Sequence, residues 1–129
     1  MMGQPRRILL AEDDRFLRKA AEATLRSHGF TVIPAVDGEE ALTLARSQKP
    51  DLVLLDLIMP KLQGFEVLKS LKADATTAAI PVIVLSNLGQ ESDVQQAMES
   101  GAVAYFIKAN LSLQDLVKRV DEVVDSVAG

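Results

Sequence analysis

The chain contains no cysteine, which excludes disulfides and thiolate-bound metal sites. Its one histidine, His28, has no second histidine to share a metal with. It falls where a helix is expected to end, a position that favours a cation, so a structural role is expected of it. No apolar run reaches the ~18 residues a membrane span needs. The opening residues, Met1 to Pro5, lack the apolar stretch of a secretory signal. Lys and Arg number 14 against 18 Asp and Glu, for a net charge of −4, and the basic residues are scattered. A phosphate backbone needs a basic face, so direct nucleic-acid binding is not expected. Arg6 and Arg7 are expected to flank an edge of the first strand. Repeats, low-complexity tracts and long linkers are absent. Together these absences point to a cytoplasmic protein that contacts neither membrane nor nucleic acid.

What the chain does have is 129 residues, 48% of them hydrophobic, enough for the core of one domain. Five short aliphatic runs read as buried parallel strands: Ile8–Ala11, Thr31–Ala35, Leu52–Leu55, Pro81–Leu85 and Val103–Ile107. Helical spacing fills the intervals. Phe16, Leu17, Ala20, Ala21, Thr24 and Leu25 form a stripe that stops at Gly29. Asp37 with Glu40 has the spacing of a capping box ahead of Ala41, Leu44 and Ala45. Phe65, Leu68 and Leu71 form a third stripe. Val94, Ala97 and Met98 form a fourth, stopped by Gly101. Ser112 and Asp115 cap a fifth, made of Leu113, Leu116, Val117, Val120, Val123, Val124 and Val127. This βα alternation predicts an α/β fold, a parallel sheet with helices on both faces.

Open sheets of this kind bind ligands beyond the carboxyl ends of their strands. The residues found there are Glu12, Asp13 and Asp14 after the first strand, Asp56 after the third, Ser86 and Asn87 after the fourth, and Lys108 after the fifth. The second gives way to a plain connector, Pro34-Ala35-Val36-Asp37-Gly38. With strand order 2-1-3-4-5 the first and third strands are neighbours, and Asp13 meets Asp56. Carboxylates that close raise each other's pKa unless a positive charge intervenes. A hard divalent cation such as Mg²⁺, which takes oxygen ligands, supplies one. Lys108 adds an ammonium and Ser86 a hydroxyl, and the set suits a phosphoryl group. Asp56, ending a fully apolar central strand, is the candidate nucleophile, since aspartate can carry phosphate as an acyl phosphate. Asp14 is expected to cap the first helix rather than to touch metal.

The segments "LLAEDD", "LLDLIMPKLQGFEVL", "VIVLSN" and "YFIKA" resemble the receiver domain of two-component response regulators, and the likeness runs over nearly the whole chain. It implies a flavodoxin-like (βα)5 three-layer sandwich with strand order 2-1-3-4-5. It implies that Asp56 is the phosphoacceptor. Asp13, Asp56 and the backbone carbonyl of Ile58 would hold Mg²⁺, with Glu12 acting through water. Ser86 and Lys108 would contact the phosphoryl group, and Tyr105 would swing inward with Ser86 when the domain switches. Pro60 and Gly64 match the turn that follows the phosphorylated strand. Ile58 and Leu88 match two positions flanking the path of hydrolytic water. Both are apolar, which predicts a long-lived phosphoprotein.

The resemblance further implies a histidine kinase or phosphotransfer protein as donor, an output surface on the fourth and fifth helices and fifth strand, and an unknown downstream target. The only chemistry implied is the protein's own phosphorylation and dephosphorylation, not turnover of an outside substrate. A single receiver domain over 1–129 without an output domain is expected, as a monomer or weak dimer.

Rival readings weaken on single residues. A haloacid-dehalogenase-type phosphohydrolase wants an acid two residues beyond its nucleophile, where this chain has Ile58. A flavodoxin-like carrier would not present "EDDR" to a phosphate, and the GxxxxGK[ST] of a P-loop is absent. A receiver that keeps the fold as a protein-binding module without phosphorylation stays open. Ala109 stands where a proline usually follows the lysine, and Asn87 stands where a small residue is usual. With alanine rather than proline in that bond, the Lys108–Ala109 peptide is expected to be trans, since a cis bond before a non-proline residue costs about 2.5–4 kcal/mol.

Overall fold

The strands form at short aliphatic runs, the central ones buried on every residue because they are covered on both faces. In the computed structural model, which describes residues 5–128 and side chains up to Asp125, they are β1 (Arg7–Ala11), β2 (Thr31–Ala35), β3 (Leu52–Leu55), β4 (Val82–Ser86) and β5 (Ala104–Ile107). All neighbours pair in parallel, in the order β2-β1-β3-β4-β5. The helices are α1 (Arg15–Ser27), α2 (Gly38–Gln48), α3 (Gly64–Ala73), α4 (Glu91–Glu99) and α5 (Leu113–Ala128), with a 3-10 turn at Lys108–Asn110. This is the doubly wound, three-layer arrangement expected from the βα alternation.

Alternate residues of each strand feed opposite cores. Ile8, Leu10, Leu52, Leu54, Ile83 and Leu85 pack under α1 and α5 with Leu25, Leu116 and Val120. Leu9, Ala11, Val53, Leu55, Val82 and Val84 pack under α2, α3 and α4 with Ala41, Leu68, Leu71 and Ala97. Burying one such aliphatic side chain contributes about 1.5–3 kcal/mol.

The caps follow the sequence. Asp14 Oδ1 accepts from Phe16 N (2.9 Å) and Leu17 N (3.2 Å). Asp37 Oδ1 accepts from Glu40 N at 2.8 Å, and Glu40 returns to the N–H of Val36, one residue before the usual capping-box position. Ser112 Oγ accepts from Asp115 N at 3.1 Å. Gly29 (φ +92°) and Gly101 (φ +108°) take the left-handed turns after α1 and α4, as the glycine stops predict. His28 Nδ1 lies 2.9 Å from Thr24 O at the C-cap of α1, in keeping with a structural role.

Several boundaries and faces differ from the sequence reading. β4 begins at Val82, not Pro81, because proline has no N–H for the ladder, though its carbonyl still accepts from Val53 N. At the other end Ser86 pairs with Ile107, so it is the last residue of β4 rather than the first residue of a loop. β1 starts one residue early, at Arg7, and lies between β2 and β3. Arg6 and Arg7 thus stand at the start of β1, as expected, and the Arg7 guanidinium ties the strand to Gln48 at the end of α2. Phe16 and Met98, expected in buried stripes, are 87% and 43% exposed. A step of one residue rotates a helix by about 100°, which carries Phe16 off the Leu17–Ala21–Leu25 line and Met98 off Ala97. Glu22 instead is buried on α1, its Oε2 3.4 Å from Arg26. Val127 and residues 1–4 fall outside the described side chains. Among the described residues no helix is long and apolar enough to cross a membrane.

Candidate functional site

The sheet's carboxyl edge is assembled by backbone bonds that run past the strand ends. Glu12 N donates to Ala35 O (3.0 Å), and Asp56 N donates to Ala11 O (3.1 Å). Parallel pairing of β1 with β3 thus sets Asp56 beside the β1–α1 loop. Carboxylate oxygens of Glu12, Asp13 and Asp56 lie within 4.8 Å of one another. Glu12 and Asp56 are buried, Asp13 is exposed, and the cluster opens into a cleft of about 300 Å³ whose rim includes Asp14, Ile58, Asn87 and Lys108.

Lys108 reaches across the end of β4 to close the cluster. Its Nζ stands 2.6 Å from Glu12 Oε1 and 2.8 Å from Asp56 Oδ2. The second oxygen of each acid is held by backbone: Glu12 Oε2 accepts from Asp14 N, and Asp56 Oδ1 from Ile58 N, both at 3.1 Å. Burial pushes the Glu12 carboxyl up, and the charge of Asp56 adds to the rise, against the opposing pull of the Lys108 bond and the Asp14 N–H. Burial alone would pull the Lys108 ammonium down. Its bonds to Asp56 and Glu12 and their charges outweigh this and hold it above the ordinary lysine value. The lysine therefore stays charged through the physiological range.

The donor set fits a hard cation. Three carboxylates offer oxygen ligands with no nitrogen or sulfur among them, the chemistry that suits Mg²⁺. The Lys108–Ala109 peptide is trans, and the lysine still turns inward because the chain enters a 3-10 turn directly after β5.

Ser86 is fully buried at the end of β4. Its Oγ accepts from Leu88 N (3.2 Å), and the Tyr105 hydroxyl donates to the carbonyl of the same Leu88. The backbone of one residue thus joins the two side chains expected to move together. The Leu88 side chain packs on the α3 and α4 core rather than lining the cleft. Of the two apolar residues expected over the site, only Ile58, 55% exposed, stands at its rim.

Two contacts had no signal in the sequence. One is the direct Lys108–Glu12 pair, since nothing local links residues 96 positions apart. The other is Arg18, whose Nη1 donates to the carbonyls of Glu12 (2.9 Å) and Asp13 (3.3 Å). An arginine four residues into a helix reads as a solvated side chain, and only the helix's entry angle turns it back over the loop.

The model of the response regulator receiver domain matches residues 8–121. The chain is 37% identical over 118 residues to Protein PilH of Pseudomonas aeruginosa, covering 92% of this chain and 97% of that protein. It is 37% identical over 115 residues to the gliding motility regulatory protein of Myxococcus xanthus, covering 89% of this chain but 15% of that protein. It spans about half the length of other curated relatives, such as 47% of a DNA-binding transcriptional regulator of Synechocystis. Among solved structures, the receiver domain of Francisella response regulator 1452 superposes with a TM-score of 0.87 at 29% identity, covering 95% of this chain and 98% of that one. Chemotaxis response regulator CheY4 of Vibrio cholerae gives 0.85 at 26%, covering 92% and 98%.

Proposed function

Because the chain belongs to the response regulator receiver domain family, we propose that it accepts a phosphoryl group on Asp56 and passes the change to a partner protein. The observation that carries this reading is the meeting of Asp56, Glu12 and Asp13 with the Lys108 ammonium at one edge of the sheet.

In the proposed reaction an Asp56 carboxylate oxygen attacks phosphorus. The bond from phosphorus to the donor's leaving atom breaks, and an acyl phosphate remains on Asp56, just past the end of β3. Glu12, Asp13, Asp56 and the backbone carbonyl of Ile58 are the groups that would hold Mg²⁺, Glu12 through water. When bound, the ion neutralises charge on the transferring phosphoryl group. Lys108 supplies a second positive charge, already aimed at Asp56. The Ile58 N–H orients the acceptor carboxylate through its second oxygen. Ser86, whose Oγ already accepts one bond, keeps its O–H to donate to a phosphoryl oxygen. Drawing Ser86 toward the phosphoryl group would pull on the Leu88 backbone, and so on Tyr105, altering the α4-β5-α5 surface where a downstream target would dock. A histidine kinase or phosphotransfer protein is the proposed donor. The chemistry is confined to the protein's own phosphorylation and its reversal.

Mass spectrometry after incubation with a small phosphodonor and Mg²⁺ tests the reading. One phosphoryl mass on the wild type and none on Asp56→Asn is the expected result. A phosphoryl mass on Asp56→Asn refutes the assignment. A wild type that gains none favours a protein-binding receiver without phosphorylation, for which Asn87 at the cleft rim is the specific obstacle to donor access.

A further inference from the structure

Three successive acids, Glu12, Asp13 and Asp14, leave β1 in three directions: into the buried pair with Lys108, toward the open cleft, and onto the first turn of α1. Their mutual repulsion opposes any tight arrangement, so something must fix the backbone between them. The bonds of this loop can be followed group by group. Glu12 N goes to Ala35 O, Asp14 N to Glu12 Oε2, and Asp14 O accepts the first helical N–H, from Arg18. The carbonyls of Glu12 and Asp13 are both taken by Arg18 Nη1.

Helical side chains lean toward the helix N-terminus, so an arginine in the second turn reaches back over the first. A cation there lies at the unfavourable end of the helix dipole, and its place is compensated by the acids beneath it. The guanidinium donates to their carbonyls and not to their carboxylates. It lessens the repulsion among the acids while leaving carboxylate oxygens open toward the cleft.

We infer that Arg18 is a positioning residue for the metal site, acting through the Glu12 and Asp13 backbone. The inference rests on the proposed Mg²⁺-dependent phosphorylation and adds a residue to it. Two effects of removing Arg18 have opposite signs, which makes the test sharp. Deleting a positive charge near a divalent cation should tighten metal binding by electrostatics alone. Deleting the brace should weaken it, and lost outer contacts of this kind typically cost about 10–100-fold in metal affinity.

The experiment is a Mg²⁺ titration of the full chain followed by amide chemical shifts, on the wild type, Arg18→Ala, Arg18→Lys and Arg15→Ala. Arg15 is exposed one turn earlier on the same helix and controls for charge. The expected result is a Kd for Mg²⁺ raised about tenfold or more in Arg18→Ala, a smaller rise in Arg18→Lys, and an unchanged or lower Kd in Arg15→Ala. At saturating Mg²⁺ the phosphorylation rate of Arg18→Ala should return close to that of the wild type, because the ion itself draws the acids together. A Kd for Arg18→Ala equal to or below the wild-type value overturns the inference. A rate that stays low at saturating metal also overturns it, by placing Arg18 in phosphoryl transfer itself. If Arg18→Ala does not fold, Arg18→Lys decides on the same criterion. A wild type that takes up no Mg²⁺ overturns the metal reading and this inference together, whereas failure of the inference alone leaves wild-type binding intact.

Discussion

Under the proposed phosphorylation of Asp56, Ile58 is the side chain expected to bear on how long the phosphoryl group lasts. It stands 55% exposed at the rim of the acidic cleft, two residues after Asp56, and offers no group to orient an attacking water. A polar group that positions water contributes about 10²-fold or less to a hydrolytic step. Ile58→Asn is therefore expected to speed loss of the phosphoryl group severalfold, up to about 100-fold, measured as decay of phosphoprotein after the donor is removed. A decay no faster than the wild type's would remove Ile58 from the control of lifetime. Sequence spacing assigns Leu88 the same duty, but its side chain faces the core while its backbone binds Ser86 and Tyr105. Spacing along the chain gives distance from Ser86 and not the direction of the side chain, which the turn after β4 decides.

Among the elements, the turn from β3 into α3 brings backbone tightly against Asp56. A Cβ on Gly64 would lie 2.4 Å from the Asp56 carbonyl oxygen and 2.4 Å from Leu57 Cα. The Gly64 N–H also donates to Leu57 O at 3.0 Å, so the start of α3 is pressed onto the end of β3. Gly64→Ala must displace one of the two, at about 1–3 kcal/mol for overpacking. It should also shift Asp56 against Lys108, and a displacement of about 1 Å can cost about 10²-fold in rate. Thermal unfolding and the rate of phosphorylation measured together check both effects. A variant with the wild-type midpoint and rate would show that the turn relaxes freely.

For the molecule as a whole, the proposed Mg²⁺ site of three acids beside one lysine at a single edge is expected to couple metal binding to stability. A ligand that binds only the folded state adds about 1.4 kcal/mol at ten times its Kd, which for a chain of this size raises the unfolding midpoint by about 5 °C. The wild type should show this rise in Mg²⁺. Asp13→Asn removes one carboxylate and its repulsion. It should unfold at a higher temperature than the wild type without metal, and lose most of the Mg²⁺-dependent rise. An unaltered Mg²⁺ response in Asp13→Asn, read by scanning calorimetry, would show that Asp13 is not a ligand.

The sequence by itself determined the strands, their alternation with helices, the caps at Asp14, Asp37 and Ser112, and the acids, hydroxyl and lysine at the strand ends. These are local properties: hydrophobic period, capping chemistry and the residue that follows a strand. Together they suffice for the resemblance to a receiver domain. Tertiary structure decided what depends on direction and on groups far apart in the chain. Only packing could show that Lys108 bridges Glu12 and Asp56, that Arg18 braces the acidic loop, and that Leu88 turns inward. It also placed Phe16 and Met98 in solvent, because a helix's rotation about its axis is set by the sheet it covers. A pattern of apolar residues fixes that rotation only to within about one residue, or 100°.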